Sequence, residues 1–94
     1  AVFACNFTNH LFAIANKILK KENLDFKILQ PLIEETVKKA FSNTPEKSQT
    51  GPAARHDNKT IQVHLQLLEN DTLIQSIYRN ISDSIQNGHY VSMK

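Results

Sequence analysis

The chain has 94 residues, 40% of them hydrophobic and 21% charged, with a formal net charge of +2 and a single cysteine. That is ordinary globular composition for one domain, and it excludes a disordered or membrane-embedded chain; so small a positive charge also argues against a nucleic-acid surface. One cysteine leaves no internal disulfide to form, which points to a reducing compartment, the cytoplasm.

The opening Ala1-Val2-Phe3-Ala4 already lies inside a helical pattern, with no cap and no initiator methionine, so the chain reads as a piece of a longer protein. Asn6, Asn9 and His10 interrupt the apolar run well short of the roughly 18 residues a membrane span needs, and no basic start or cleavage site makes a signal peptide. No membrane partner is expected. From Val2 to about Lys21, Phe3, Phe7, Leu11, Ile14, Ile18 and Leu19 recur at helical spacing, and Val2, Ala4, Phe12 and Ala15 widen the stripe almost around the axis. Such a helix is expected to be covered on several sides. Cys5, with apolar helical flanks, reads as an inert buried thiol. Asn6 and His10 stand four apart, with Asn9 three after Asn6. Polar groups in so apolar a helix are expected to find partners in the core, across a dimer contact or in a ligand cleft.

After a break at Glu22-Asn23-Leu24, Asp25 is expected to cap a helix from Phe26 to about Ser42, burying Ile28, Leu29, Leu32, Ile33, Val37, Ala40 and Phe41. Pro31 removes a backbone donor beyond the first turn, so a kink or a later start near Leu32 is expected. Glu34 and Glu35 precede Lys38 and Lys39 by four, the pattern of an exposed helix face and not of a catalytic carboxylate pair. Thr44 and Pro45 form a helix-start signal for a short turn, Pro45 to Ser48.

Gln49 to Asp57 follows as a constrained turn. Gly51 accepts a positive φ, Pro52 fixes the next φ, and Arg55, His56 and Asp57 stand in succession. The turn is either a site or a joint in which Asp57 caps the next helix and pairs with Arg55. That helix is expected to run from Asp57 or Asn58 to about Glu69, with Ile61, His64, Leu65 and Leu68 on one stripe. His64 there reads as a satisfied core residue. Asn70-Asp71-Thr72 re-caps the chain, and a last helix from Leu73 to about Gln86 repeats Leu73, Ile74, Ile77, Tyr78, Ile81 and Ile85. Asn87-Gly88 is expected to end it, with a frayed tail from His89 to Lys94. No segment alternates with period two, so the expected fold is all-α: one four-helix bundle-like domain over residues 1–94, with an extra short helical turn.

Glycine-rich phosphate loops, nucleophile elbows and zinc-helix motifs are missing from the sequence, and His10, His56, His64 and His89 lack metal-ligand spacing, so no metal is expected. Three blocks carry a more specific signal: Ala4-Cys5-Asn6-Phe7-Thr8-Asn9-His10, Pro31-Leu32-Ile33-Glu34-Glu35-Thr36, and Gln49 to Asp57 with His64-Leu65 following. In that order they resemble the helical C-terminal domain, of unassigned function, of bacterial Rossmann-like NAD(P)-dependent oxidoreductases, similar in layout to the pyrroline-5-carboxylate reductase and 6-phosphogluconate dehydrogenase C-terminal-like group.

The resemblance implies a cofactor domain with a Gly-x-Gly-x-x-Gly turn upstream of Ala1, holding NADP or NAD. It implies that this domain closes the substrate side and forms a homodimer through its first helix. On that basis His10 and Asn6 are the catalytic candidates, and Asn9, Thr50, Gly51, Arg55 and Asp57 the candidates for binding a small-molecule substrate with a carbonyl or imine. The β-hydroxyacid dehydrogenases carry a Lys and an Asn four apart on the corresponding helix. Here Asn6 and His10 have that spacing without the Lys. The alternative function is a non-catalytic helical module for dimerisation or protein interaction.

Overall fold

A computed structural model describes residues 1–87, and its described residues are all-α, as expected, with no strand. The expected end at Asn87-Gly88 and the tail from His89 lie partly or wholly outside those residues. In order come a π-helical segment, Val2–Phe7, continuing into α1, Thr8–Lys21; a 3-10 turn, Phe26–Leu29, continuing into α2, Gln30–Ser42; then α3, Pro45–Ser48, α4, Asn58–Leu67, and α5, Thr72–Gln86. The chain divides into two compact units, Ala1–Lys39 and Ala40–Lys94.

Local capping chemistry explains most boundaries. Asp25 accepts a hydrogen bond from the Lys27 N–H at 2.9 Å, and Thr44 accepts one from the Lys47 N–H at 3.2 Å with Pro45 behind it. Asp57 caps α4 and Asp71 caps α5, each accepting a backbone N–H three residues on at 3.1 Å. Side-chain acceptors thus satisfy amides that the first helical turn leaves without partners. The expected cost of Pro31 is absorbed by the 3-10 turn, which hands over to α2 at Gln30, so that Pro31 falls in the first turn of α2.

Two further findings depart from the expected elements. The first helix opens as a π segment and not as an α-helix, and the Thr8 hydroxyl donates to the Phe3 carbonyl five residues back at 3.1 Å. The wider turn sets Phe3 and Phe7 edge to face, with centroids 5.2 Å apart. At the other end, Leu24 N–H reaches Leu19 O at 2.9 Å and Asn23 N–H reaches Lys20 O at 3.1 Å, with Asn23 at φ +56°. That pattern is a Schellman stop, and asparagine tolerates its left-handed residue.

In the first unit Phe12 of α1 meets Phe26 of the 3-10 turn, centroids 6.0 Å apart. The expectation that Ile28, Leu29, Leu32, Ile33, Val37, Ala40 and Phe41 are buried is not met: Ile28, Leu32, Val37 and Phe41 are exposed, the others half-buried. Cys5 is likewise exposed, correcting the buried thiol. A stripe shows which face a helix would bury, but among the described residues side chains cover it only in part.

In the second unit Ala53, Ile61 and Leu65 are buried, and Tyr78 and Ile85 pack against them. The Gln75 amide donates to Leu65 O at 2.7 Å, and the Gln86 amide donates to Asn58 Oδ1 at 2.8 Å, so both ends of α4 are tied to α5.

Candidate functional site

The first group of candidates lies on one helix. Asn6 sits in the π segment, and Asn9 and His10 follow in the first turn of α1. All three are exposed, and among the described residues none of their side chains makes a hydrogen bond. Of the three expected sources of partners, only the core is therefore corrected, since exposed groups need no buried partner. Their donors and acceptors are available to a ligand or to another chain. An apolar recess of about 330 Å³ in the same unit is lined by Phe12, Phe26, Lys27, Gln30 and Ile33. It gathers none of the candidates.

The second group lies in the turn before α4. Gly51 stands at φ +100°, and a Cβ added there would meet nothing within 4 Å. The backbone angle, not lack of room, is what requires glycine. From Pro52 the chain makes a single helical turn. Arg55 N–H bonds Gly51 O at 3.3 Å, His56 N–H bonds Ala53 O at 3.1 Å and Asp57 N–H bonds Pro52 O at 2.8 Å. The last two are the paired bonds of a Schellman stop, and His56 takes its left-handed position at φ +55°. Ala53 anchors the turn, being buried in the core with Ile61 and Leu65.

Asp57 is the hinge between this turn and α4. One carboxylate oxygen accepts the Thr60 N–H and the other the Thr60 hydroxyl, at 3.1 and 2.7 Å. Arg55 stands 3.7 Å away, an ion pair longer than a hydrogen bond. The Thr60 hydroxyl and then the Thr60 amide hold the Asp57 carboxyl below its ordinary value, partial burial opposes them, and the Arg55 charge adds a smaller pull downward. A carboxylate favoured in the folded state contributes stability that is present above its unfolded pKa and is lost as pH falls through the folded one. Wild-type stability is therefore expected to fall on acidification below about pH 4, and Asp57→Asn to flatten that fall. Urea unfolding at pH 6 and pH 3 measures both slopes, and equal slopes would remove Asp57 from the acid response.

His64 was expected to be a satisfied core residue, and it is half-buried with Nδ1 2.6 Å from the Tyr78 hydroxyl, the two rings edge to face. Burial raises the Tyr78 pKa and a hydrogen bond with Ser82 partly opposes it. Sequence spacing placed His64 on the stripe, but its partner 14 residues away carried no local signal. Among the described residues no group of three or more His, Cys, Asp or Glu is placed to hold a metal, and no helix is long and apolar enough to cross a membrane.

A crystal structure described as that of a "putative NADP oxidoreductase" from Bacteroides fragilis is 46% identical, with a TM-score of 0.89 over 92% of this chain and 33% of that one. The chain thus spans about a third of the length of that protein. No curated protein matches it significantly. A family model described as a domain of unknown function, DUF2520, matches residues 1–85. That match takes in both groups of candidate residues and nearly all of the described helices, and the chain belongs to the DUF2520 family.

Proposed function

We propose that this chain is the substrate-side and dimerisation domain of an NAD(P)-dependent oxidoreductase that transfers a hydride to a carbonyl or imine of a small molecule. The observation that carries this reading is the 46% identity, over 92% of the chain, to the Bacteroides fragilis protein. In layout the whole enzyme would be similar to pyrroline-5-carboxylate reductase and 6-phosphogluconate dehydrogenase, with the cofactor half preceding Ala1.

The described residues do not themselves fit a dinucleotide. They contain no strand to lead into a glycine-rich turn, and Gly51 stands alone between a threonine and a proline. NADP or NAD would be held by the other domain and would supply the hydride there. The part played by this chain is to bind, orient and protonate. His10 donates a proton to the carbonyl or imine as general acid. Asn6 and Asn9 hydrogen-bond the substrate. Arg55 clamps an anionic group through its planar fork, with Thr50, Gly51 and Asp57 completing the turn around it.

Titrations with NADPH and with NADH test the reading, on this chain and on a longer protein that contains it. The longer protein is expected to bind at least one of them at micromolar concentration and this chain neither. Micromolar binding of either by the chain alone, or of neither by the longer protein, would overturn the assignment.

The second reading, a non-catalytic dimerisation module, draws on the exposed apolar stripe of the first helix, where Phe3 is 84% and Phe7 51% accessible. Both readings put a second copy of the chain on that helix. Mixed dimers separate them, because two different inactive variants can rescue each other only where a shared site exists.

A further inference from the structure

Among the described residues His56 is one of two without a glycine's freedom that stand at positive φ. It holds the left-handed position of the stop that ends the Pro52–Arg55 turn, at φ +55°, where glycine is the usual occupant. The same stop at the end of α1 uses Asn23 at φ +56°, whose short side chain suits that conformation. A histidine there carries a steric penalty that glycine would remove. Its side chain offers nothing to the fold in return: it is exposed, and among the described residues it makes no hydrogen bond.

Arg55, its neighbour, is in a similar position. Its side chain is 62% exposed, and Asp57, its partner at 3.7 Å, already has one oxygen accepting the Thr60 N–H and the other the Thr60 hydroxyl. A guanidinium carries five N–H donors, so beside this one ion pair it keeps donors that the described residues do not use. Lys59, also exposed, adds a third basic group in the first turn of α4.

We infer that Arg55 and His56 together form a receptor for one oxyanion, a carboxylate or phosphate on a small-molecule ligand. Arg55 supplies a planar pair of N–H donors, the geometry that matches two oxygens of such a group. His56 supplies a ring N–H, which imidazole presents in either charge state. The backbone that carries these two successive residues is anchored on both sides, since Ala53 is buried in the core and Asp57 is bonded to Thr60. This deepens the substrate role proposed for the turn and rests on that role only for whose anion it is.

The test is an NMR titration of this chain with inorganic phosphate, at constant ionic strength against chloride, together with urea unfolding of the variants. Shifts are expected to saturate in the millimolar range and to centre on Arg55 and His56. Arg55→Gln and His56→Gly are each expected to weaken phosphate binding at least tenfold. His56→Gly is also expected to raise the folding equilibrium constant about threefold, the relief of the left-handed backbone exceeding the added chain entropy. Weaker binding in a more stable protein is an outcome that a purely structural His56 does not produce. A response equal to that with chloride, full phosphate affinity in His56→Gly, or a destabilised His56→Gly would each overturn the inference. None of these readouts involves cofactor or turnover. Failure here would leave the oxidoreductase reading standing, and the absence of any oxidoreductase activity would leave the receptor standing.

Discussion

Leu65→Ala is expected to destabilise the second unit by about 2–4 kcal/mol, the range for deleting a buried leucine side chain in a core that relaxes only partly. Leu65 is 5% exposed, and only Ala53 and Ile61 share the buried hydrophobic core with it among the described residues. Among the described residues only Tyr78 and Ile85, themselves partly buried, pack against this core and could close over the cavity. A domain of this size is stabilised by only about 5–10 kcal/mol in total, so the change removes a large share of it. The loss should extend to the turn before α4, because Ala53 is fixed through the same contacts. Leu67→Ala provides the control: Leu67 is on the same helix but 77% exposed, and the change should stay within about 0.5 kcal/mol. Urea midpoints followed by circular dichroism compare the two. Similar midpoints for both variants would show that the three-residue core does not hold the unit together.

The legible parts of this fold were those decided within a few residues. Asp25 and Thr44 cap where sequence chemistry places them, and Asp71 proves to be the cap within the Asn70-Asp71-Thr72 break, because an acceptor side chain beside exposed amides acts over one turn. Asp57 and not Asn58 proves to be the cap of α4, a choice that only the bonds to Thr60 decide. The π opening was not legible. Its residues, Val2 to Phe7, have an unremarkable helical pattern, and the register depends on the Thr8 hydroxyl reaching Phe3 O. Nor was burial legible. The apolar positions of α2 show what the helix offers, whereas Leu32 and Phe41 remain 67% and 86% exposed because coverage needs a distant or separate element. The candidate residues came from resemblance for the same reason. Asn6, Asn9 and His10 are exposed, and exposed polar groups leave no packing signature to read.

Exposure of the first helix leads to the second large effect. If two copies meet on this helix, as proposed, Phe7→Lys combined with Leu11→Lys is expected to weaken their association by about 10³-fold. Phe7 is 51% and Leu11 41% accessible, and they stand one turn apart on the stripe that also holds Phe3 and Ile18. A two-fold contact uses each residue twice, so four half-exposed apolar side chains leave water when two copies join. At about 1 kcal/mol for each half-buried side chain the sum is about 4 kcal/mol, or about 10³ in the dissociation constant. Lysine is chosen over alanine because it adds a charge that the contact would have to desolvate. Both positions are already solvent-facing, so helix content should persist, and the change appears in sedimentation and not in circular dichroism. An unchanged sedimentation profile would move the proposed dimer contact off this helix. Asn6 and His10 share the helix with these residues, so the same experiment bears on their role. If the lysines separate the copies and abolish turnover of the longer protein while NADPH still binds, the polar groups on this helix work only when a second subunit is beside them.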